Sequence, residues 1–172
     1  RPVRGLVLTP TRELAAQVQE NVREYSTYVD IDSAVIFGGV SAKPQIGALR
    51  RGVDILVATP GRLLDLHGQG FLSLKNIEIL VLDEADRMLD MGFSEDMLFI
   101  TKNCNSTRQT LMFSATLNQT GMGQFAQSLL NNPETIILNA ERQQNADIQQ
   151  QVILSDDKAH KQKQLVWLLE NQ

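Results

Sequence analysis

One cysteine, one tryptophan and two histidines in 172 residues remove several kinds of chemistry at the outset. Cys104 has no partner for an internal disulfide, which points to a reducing compartment such as the cytoplasm. With His67 and His160 as the only histidines, a Cys/His zinc site lacks ligands. A basic excess is absent too: 16 Lys and Arg stand against 20 Asp and Glu, a net charge of −4. That excludes binding of nucleic acid through a broad basic face, so any such contact has to be local and geometric. No apolar run approaches the ~20 residues that span a bilayer. The opening Arg1-Pro2-Val3-Arg4-Gly5 has no initiator Met and no signal-peptide form, and leads straight into a strand-like run. The chain reads as one that begins partway into a domain.

What is present is a globular composition, 42% hydrophobic and 21% charged, with enough length for one sizeable core. Short apolar runs alternate with helical patterns. The runs are Leu6–Leu8, Ala34–Phe37, Ile55–Ala58, Ile79–Leu82, Leu111–Phe113 and Thr135–Leu138. Their apolar residues are consecutive, which fits parallel strands buried on both faces. Leu14, Val18, Val22 and Tyr25 share one helical face, as do Met122, Phe125, Ala126 and Leu129. The expected class is α/β, with ligands at the carboxyl ends of the strands. After Leu138 the pattern breaks. Residues 1–138 read as one domain, 139–147 as a linker, and 148–172 as the first strand (Ile148–Leu154) and helix (His160–Glu170) of another.

Three strand ends carry the chemistry. Leu8-Thr9-Pro10-Thr11-Arg12 and Ala58-Thr59-Pro60-Gly61-Arg62 share the form strand, Thr-Pro, x, Arg. Thr caps a helix and Pro suits its first turn, so each unit opens a helix with free N–H groups beside an Arg. Such a terminus attracts phosphate. Each unit alone reads better as ordinary capping with its Arg in a surface salt bridge, but finding both at equivalent strand ends shifts the reading toward successive phosphate contacts along one strand. These would position nucleic acid without reading its sequence. The third end, Asp83-Glu84 after Ile79–Leu82, offers one carboxylate for Mg²⁺ and another for activating water. An acidic helix start is the plain alternative. Ser114-Ala115-Thr116 sets two hydroxyls within reach of Asp86, or simply caps the next helix. Gly38-Gly39 marks a tight turn or a close approach to a ligand.

Together these segments resemble the DEAD-box RNA helicases. Pro10-Thr11-Arg12-Glu13-Leu14-Ala15 resembles motif Ia, Gly38-Gly39 the GG motif, and Thr59-Pro60-Gly61-Arg62 motif Ib. Asp83-Glu84-Ala85-Asp86 resembles motif II, continued by Arg87-Met88-Leu89-Asp90-Met91-Gly92-Phe93, and Ser114-Ala115-Thr116 resembles motif III. Each motif is weak alone, but their order and spacing agree over nearly the whole chain. The resemblance implies a RecA-like parallel sheet sandwiched by helices, plus the start of a second RecA-like domain. It implies an ATP-dependent enzyme that binds and locally unwinds RNA, with ATP and Mg²⁺ as cofactors. Asp83 would hold Mg²⁺ through its water shell and Glu84 would be the catalytic base. Asp86, Ser114 and Thr116 would couple hydrolysis to RNA binding. Thr11, Arg12, Gly39, Thr59, Gly61 and Arg62 would line the RNA track.

The chain departs from the family's pattern as well. No lysine follows a glycine, so the Gly-Lys-Thr/Ser phosphate loop is not in this sequence, nor are the upstream Q motif and the arginine-rich motif of the second domain. Relative to the family the chain reads as cut at both ends, and in isolation it is expected to show no RNA-stimulated ATPase. By analogy with the family's sheet, a strand preceding residue 1 would lie beside Ile79–Leu82; its loss would open an edge there and leave Leu80 and Leu82 poorly covered. The short connections and the stretch around Asp156-Asp157-Lys158 resemble bacterial members that act on ribosome-assembly or RNA-decay particles. Two other readings stay open: an RNA-binding module without catalysis, and a superfamily 2 DNA helicase.

Overall fold

The computed structural model describes residues 1–116, 121–138 and 153–170. The chain divides into two compact units, Arg1–Pro133 and Glu134–Gln172.

The first unit is built on strands β1 (Gly5–Leu8), β2 (Ser33–Ile36), β3 (Ile55–Ala58), β4 (Ile79–Leu82) and β5 (Gln109–Met112). Its helices are α1 (Arg12–Tyr25), α2 (Lys43–Arg51), α3 (Pro60–Gly68), α4 (Ala85–Asp90), α5 (Ser94–Asn103) and α6 (Met122–Leu129). All pairings are parallel and the order is β2-β3-β1-β4-β5. The register is level: Ile36 pairs with Ala58, Ala58 with Leu8, Leu8 with Leu82, and Leu82 with Met112. Every strand therefore ends on one line, and every following loop leaves from it. Leu6, Leu8, Leu56, Leu80 and Leu82 are fully buried, as consecutive apolar strands between helices require.

Several expectations from the sequence need correction. β4 has β1 on one side and β5 on the other, so it has no open edge, and Leu80 and Leu82 are completely covered. Thr135–Leu138 forms no strand. Ile136, Ile137 and Leu138 are exposed there, so no burial holds the backbone extended. Phe37 and Phe113 lie one residue beyond β2 and β5. In α1 the fully buried positions are Ala15 and Gln19, while Tyr25 is exposed; Gln19 donates to the Ser33 hydroxyl (2.9 Å) and so ties α1 to β2. Cys104 is buried as a packing residue, and that burial pushes its thiol up to about 11.

In the second unit, α7 spans Lys158–Glu170, and the Asp157 carboxylate caps it by accepting from the His160 N–H (2.8 Å). Leu165, Trp167 and Leu169 are exposed. Ile153 and Leu154 are not in a strand; the rest of the strand expected at Ile148–Leu154, and the linker expected at 139–147, lie outside the described residues. No helix among the described residues is long and apolar enough to cross a membrane.

The core makes one prediction. Leu82→Ala is expected to cost about 2–5 kcal/mol in chemical denaturation, because the side chain is fully enclosed. Ile137→Ala, at an exposed position, should stay within about 0.5 kcal/mol of wild type.

Candidate functional site

The carboxyl edge of the sheet is tied together by a continuous series of hydrogen bonds. The residue that follows each of β1, β3, β4 and β5 donates its N–H to the last residue of the strand beside it. Thr59 donates to Ile36 (3.1 Å), Thr9 to Ala58 (3.0 Å), Asp83 to Leu8 (3.0 Å) and Phe113 to Leu82 (2.8 Å). The loops that carry the sequence motifs thus start at one height, on adjacent strands.

On the β1, β2 and β3 side these loops enclose a concavity of about 410 Å³. It is lined by Pro10, Arg12, Gly38, Thr59, Gly61, Arg62, Asp65 and Phe93. Thr11 sits at the start of α1, where its hydroxyl accepts from the Leu14 N–H (3.3 Å), while Thr9 beneath it is buried. Thr59 takes the equivalent place on α3, with Pro60 in the first turn, but its hydroxyl makes no cap bond to the backbone. Gly39 has φ +78°, and a Cβ there would lie 3.5 Å from the Arg12 guanidinium. That distance is an ordinary contact; it is the positive φ that favours glycine here.

The two arginines, expected as equivalents, differ. The Arg12 side chain is 57% exposed and its Nε pairs with Glu13 (2.7 Å). The Arg62 side chain is only 12% exposed. One of its terminal nitrogens donates to the Val40 carbonyl (3.0 Å), and its Nε lies 3.6 Å from Asp65. The other terminal nitrogen is buried with no acceptor. A buried donor without a partner is costly, and the rest of this guanidinium is held by Val40 and Asp65.

On the β1, β4 and β5 side lies the acidic turn. Glu84 adopts a left-handed backbone (φ 48°, ψ 51°), which costs a non-glycine residue on the order of 1–3 kcal/mol. Its neighbours hold it there. The Glu84 N–H donates to Asp83 Oδ1 (3.0 Å), the Ala85 N–H donates to the Phe113 carbonyl (3.0 Å), and Arg87 reaches Glu84 Oε2 (3.4 Å). Asp86 is bound from the β5 side. The Thr116 hydroxyl donates to its Oδ2 (2.6 Å), and the Arg87 N–H donates to its Oδ1 (3.0 Å). The Ser114 hydroxyl accepts from the Thr116 N–H (3.2 Å). Burial alone would raise the Asp86 pKa. Hydrogen bonds from Thr116, the Arg87 N–H and Ser114 outweigh it and hold the carboxyl below the ordinary aspartate range. Ser114 and Thr116 do not cap α6, whose N-cap is Gly121.

A family model described as DEAD/DEAH box helicase matches residues 1–123. The chain belongs to the DEAD/DEAH box helicase family. It is 42% identical over 167 residues to the ATP-dependent RNA helicase DBP2 of Encephalitozoon cuniculi, covering 96% of this chain and 33% of that protein. It is 42% identical over 168 residues to the ATP-dependent RNA helicase SrmB of Escherichia coli, covering 98% and 38%. The crystal structure of a hypothetical ATP-dependent RNA helicase from Sulfolobus tokodaii superposes with a TM-score of 0.71 at 41% identity, over 77% of this chain and 39% of that one. The chain thus spans about a third of the length of these relatives. They come from a microsporidian, a bacterium and an archaeon, so the likeness does not single out bacterial members.

Within this DEAD-box domain, the residues expected from the sequence lie along the common sheet edge, but their supports gave weaker signals. Arg87 stands three positions after Glu84 on a helix, a spacing that places the two side chains together and so could have been noticed. Asp65 stands in the same relation to Arg62. Val40, which contributes only a carbonyl, had no side-chain signal at all.

The Asp86 network sets a titration. A carboxyl depressed in the fold contributes stability that is present above its unfolded pKa and is lost as pH falls through the folded value. Thr116→Val removes a lowering hydrogen bond and keeps the burial. The Asp86 pKa should therefore rise toward its unfolded value, so the stability it contributes should be smaller and its acid loss should be complete at a higher pH, within the span below about pH 5. Carboxyl carbon NMR titration of both proteins measures this; an unmoved Asp86 would contradict it.

Proposed function

We propose that the protein containing this chain is an ATP-dependent RNA helicase that couples ATP binding and hydrolysis to sequence-independent RNA binding and local duplex unwinding. Support comes from the family match and from relatives named as ATP-dependent RNA helicases. The observation that carries the reading is the common sheet edge, which sets the acidic turn and the concavity lined by Arg12 and Arg62 on neighbouring strand ends.

In this reading Thr11, Arg12, Gly39, Thr59, Gly61 and Arg62 form the RNA track. The exposed Arg12 guanidinium and the unpaired nitrogen of Arg62 supply donors, and the starts of α1 and α3 supply backbone N–H groups. This suits a chain with net charge −4, since the donors are few and local. Glu84 is the catalytic base, held by its left-handed turn at the carboxyl end of β4. Asp86, Ser114 and Thr116 form the coupling element, because the Thr116–Asp86 bond joins the β4 turn to the β5 turn.

Mg²⁺ fits the donor set. Asp83, at the carboxyl end of β4, commits Oδ1 to the Glu84 N–H and keeps a second carboxylate oxygen. That suits a cation held through its water shell and the substrate phosphates. When bound, Mg²⁺ supplies neutralisation of phosphate charge. The single cysteine supports cytoplasmic residence, and the stretch around Asp156-Asp157-Lys158 supports ribosome-assembly or RNA-decay particles as partners.

Two variants in the full-length protein test the roles. Glu84→Gln should lower single-turnover ATP hydrolysis by ~10²–10⁴-fold while ATP and RNA binding persist; a rate within a few-fold of wild type would remove Glu84 from the role of base. Arg12→Ala should weaken binding of unrelated single-stranded RNAs about equally and reduce the log–log salt slope by roughly 0.7. A loss confined to one sequence would mean base readout. Stimulation of ATPase by DNA as strong as by RNA would favour the DNA-helicase reading.

A further inference from the structure

We infer that Gln45, outside every motif above, is a positioning residue that holds the Gly38-Gly39-Val40 turn in the shape the RNA track requires. The inference rests on the reading of the concavity as an RNA site.

β2 is an edge strand, with β3 on one side only. The Ile36 carbonyl is taken by the Thr59 N–H. The N–H in the same peptide unit belongs to Phe37 and points the opposite way, because a trans peptide sets its C=O and N–H antiparallel. Among the described residues no strand lies on that side to receive it. Gln45, from the first turn of α2, fills the place. The Phe37 N–H donates to its Oε1 (3.2 Å), and its Nε2 donates to the Phe37 carbonyl (3.1 Å). The carboxamide is chemically a peptide group, so it supplies one donor and one acceptor at the spacing a neighbouring strand would. Gln45 is 8% exposed, and a buried amide of that kind has to find both bonds.

This clamp sits on the residue immediately before Gly38. On the far side of the turn, Arg62 holds the Val40 carbonyl. Between the two anchors Gly39 takes φ +78° and approaches Arg12. The three-residue turn is thus fixed at both ends, and the lower end depends on Gln45. Gln45 does not line the concavity, so it acts through the turn and not on bound nucleic acid. Its loss should make the turn mobile, and the ordering cost would then fall on binding.

The test uses full-length protein carrying Gln45→Met, similar in length with neither hydrogen bond, and Gln45→Glu, which keeps the acceptor for Phe37 N–H and loses the donor. Single-stranded RNAs of unrelated sequence are titrated by fluorescence anisotropy across a salt series, and amide exchange is followed at Phe37 to Val40. Gln45→Met should weaken all the RNAs by roughly five- to twentyfold with the salt slope unchanged. Exchange at Phe37 to Val40 should accelerate while amides of β1 and β4 keep their protection. Gln45→Glu should fall between Gln45→Met and wild type. Wild-type affinity in Gln45→Met overturns the role of Gln45 alone. A salt slope reduced by about 0.7 overturns it too, since that marks a lost phosphate contact. In wild type, an unprotected Phe37 amide overturns it even if both variants fail to fold. Absence of RNA binding by the wild-type protein instead removes the reading of the site on which the inference stands.

Discussion

The level register of the parallel sheet is the constraint on which everything else depends. Ile36, Ala58, Leu8, Leu82 and Met112 lie in one row, and the hydrogen bonds from Thr59, Thr9, Asp83 and Phe113 carry the ladder one step past the strands. A slip of one residue in any strand would turn its buried side chains outward and displace the loop it feeds. Packing and site geometry are therefore specified by the same contacts. The apolar strands that exclude water also bring the ends of five separate segments to one line.

Beyond that line the two halves of the edge use different means. The concavity side relies on backbone openings: two helix starts, a glycine in a positive-φ turn, and carbonyls held by side chains. The acidic side relies on side-chain hydrogen bonds across strands, above all Thr116 to Asp86. Its position between β4 and β5 means that a shift of one turn is felt by the other. Such a bond is a natural place for coupling, because it can exist only while both turns keep their relative position.

Much of this was legible in the sequence. Consecutive apolar residues at 6–8, 55–58 and 79–82 specify buried parallel strands, and the repeated Thr-Pro-x-Arg shows that two helix starts are alike. Thr135–Leu138 misled because its apolar run is as good as the others. A strand needs a neighbour as well as a composition, and periodicity does not report neighbours. Order misled in the same way: nothing in a linear pattern says that β1 lies between β3 and β4. The division of labour between Arg12 and Arg62 was hidden because it depends on Val40 and Asp65, contacts made only after folding. Gln45 was invisible for a related reason, since a glutamine in an amphipathic helix gives no sign of the backbone it will pair with.

The left-handed turn at Glu84 carries a consequence for the choice of amino acid at this position. Glycine or asparagine would occupy that backbone with less strain, so glutamate is not the residue that stability alone would place there. The turn is a place where backbone preference and the side chain it carries are at odds.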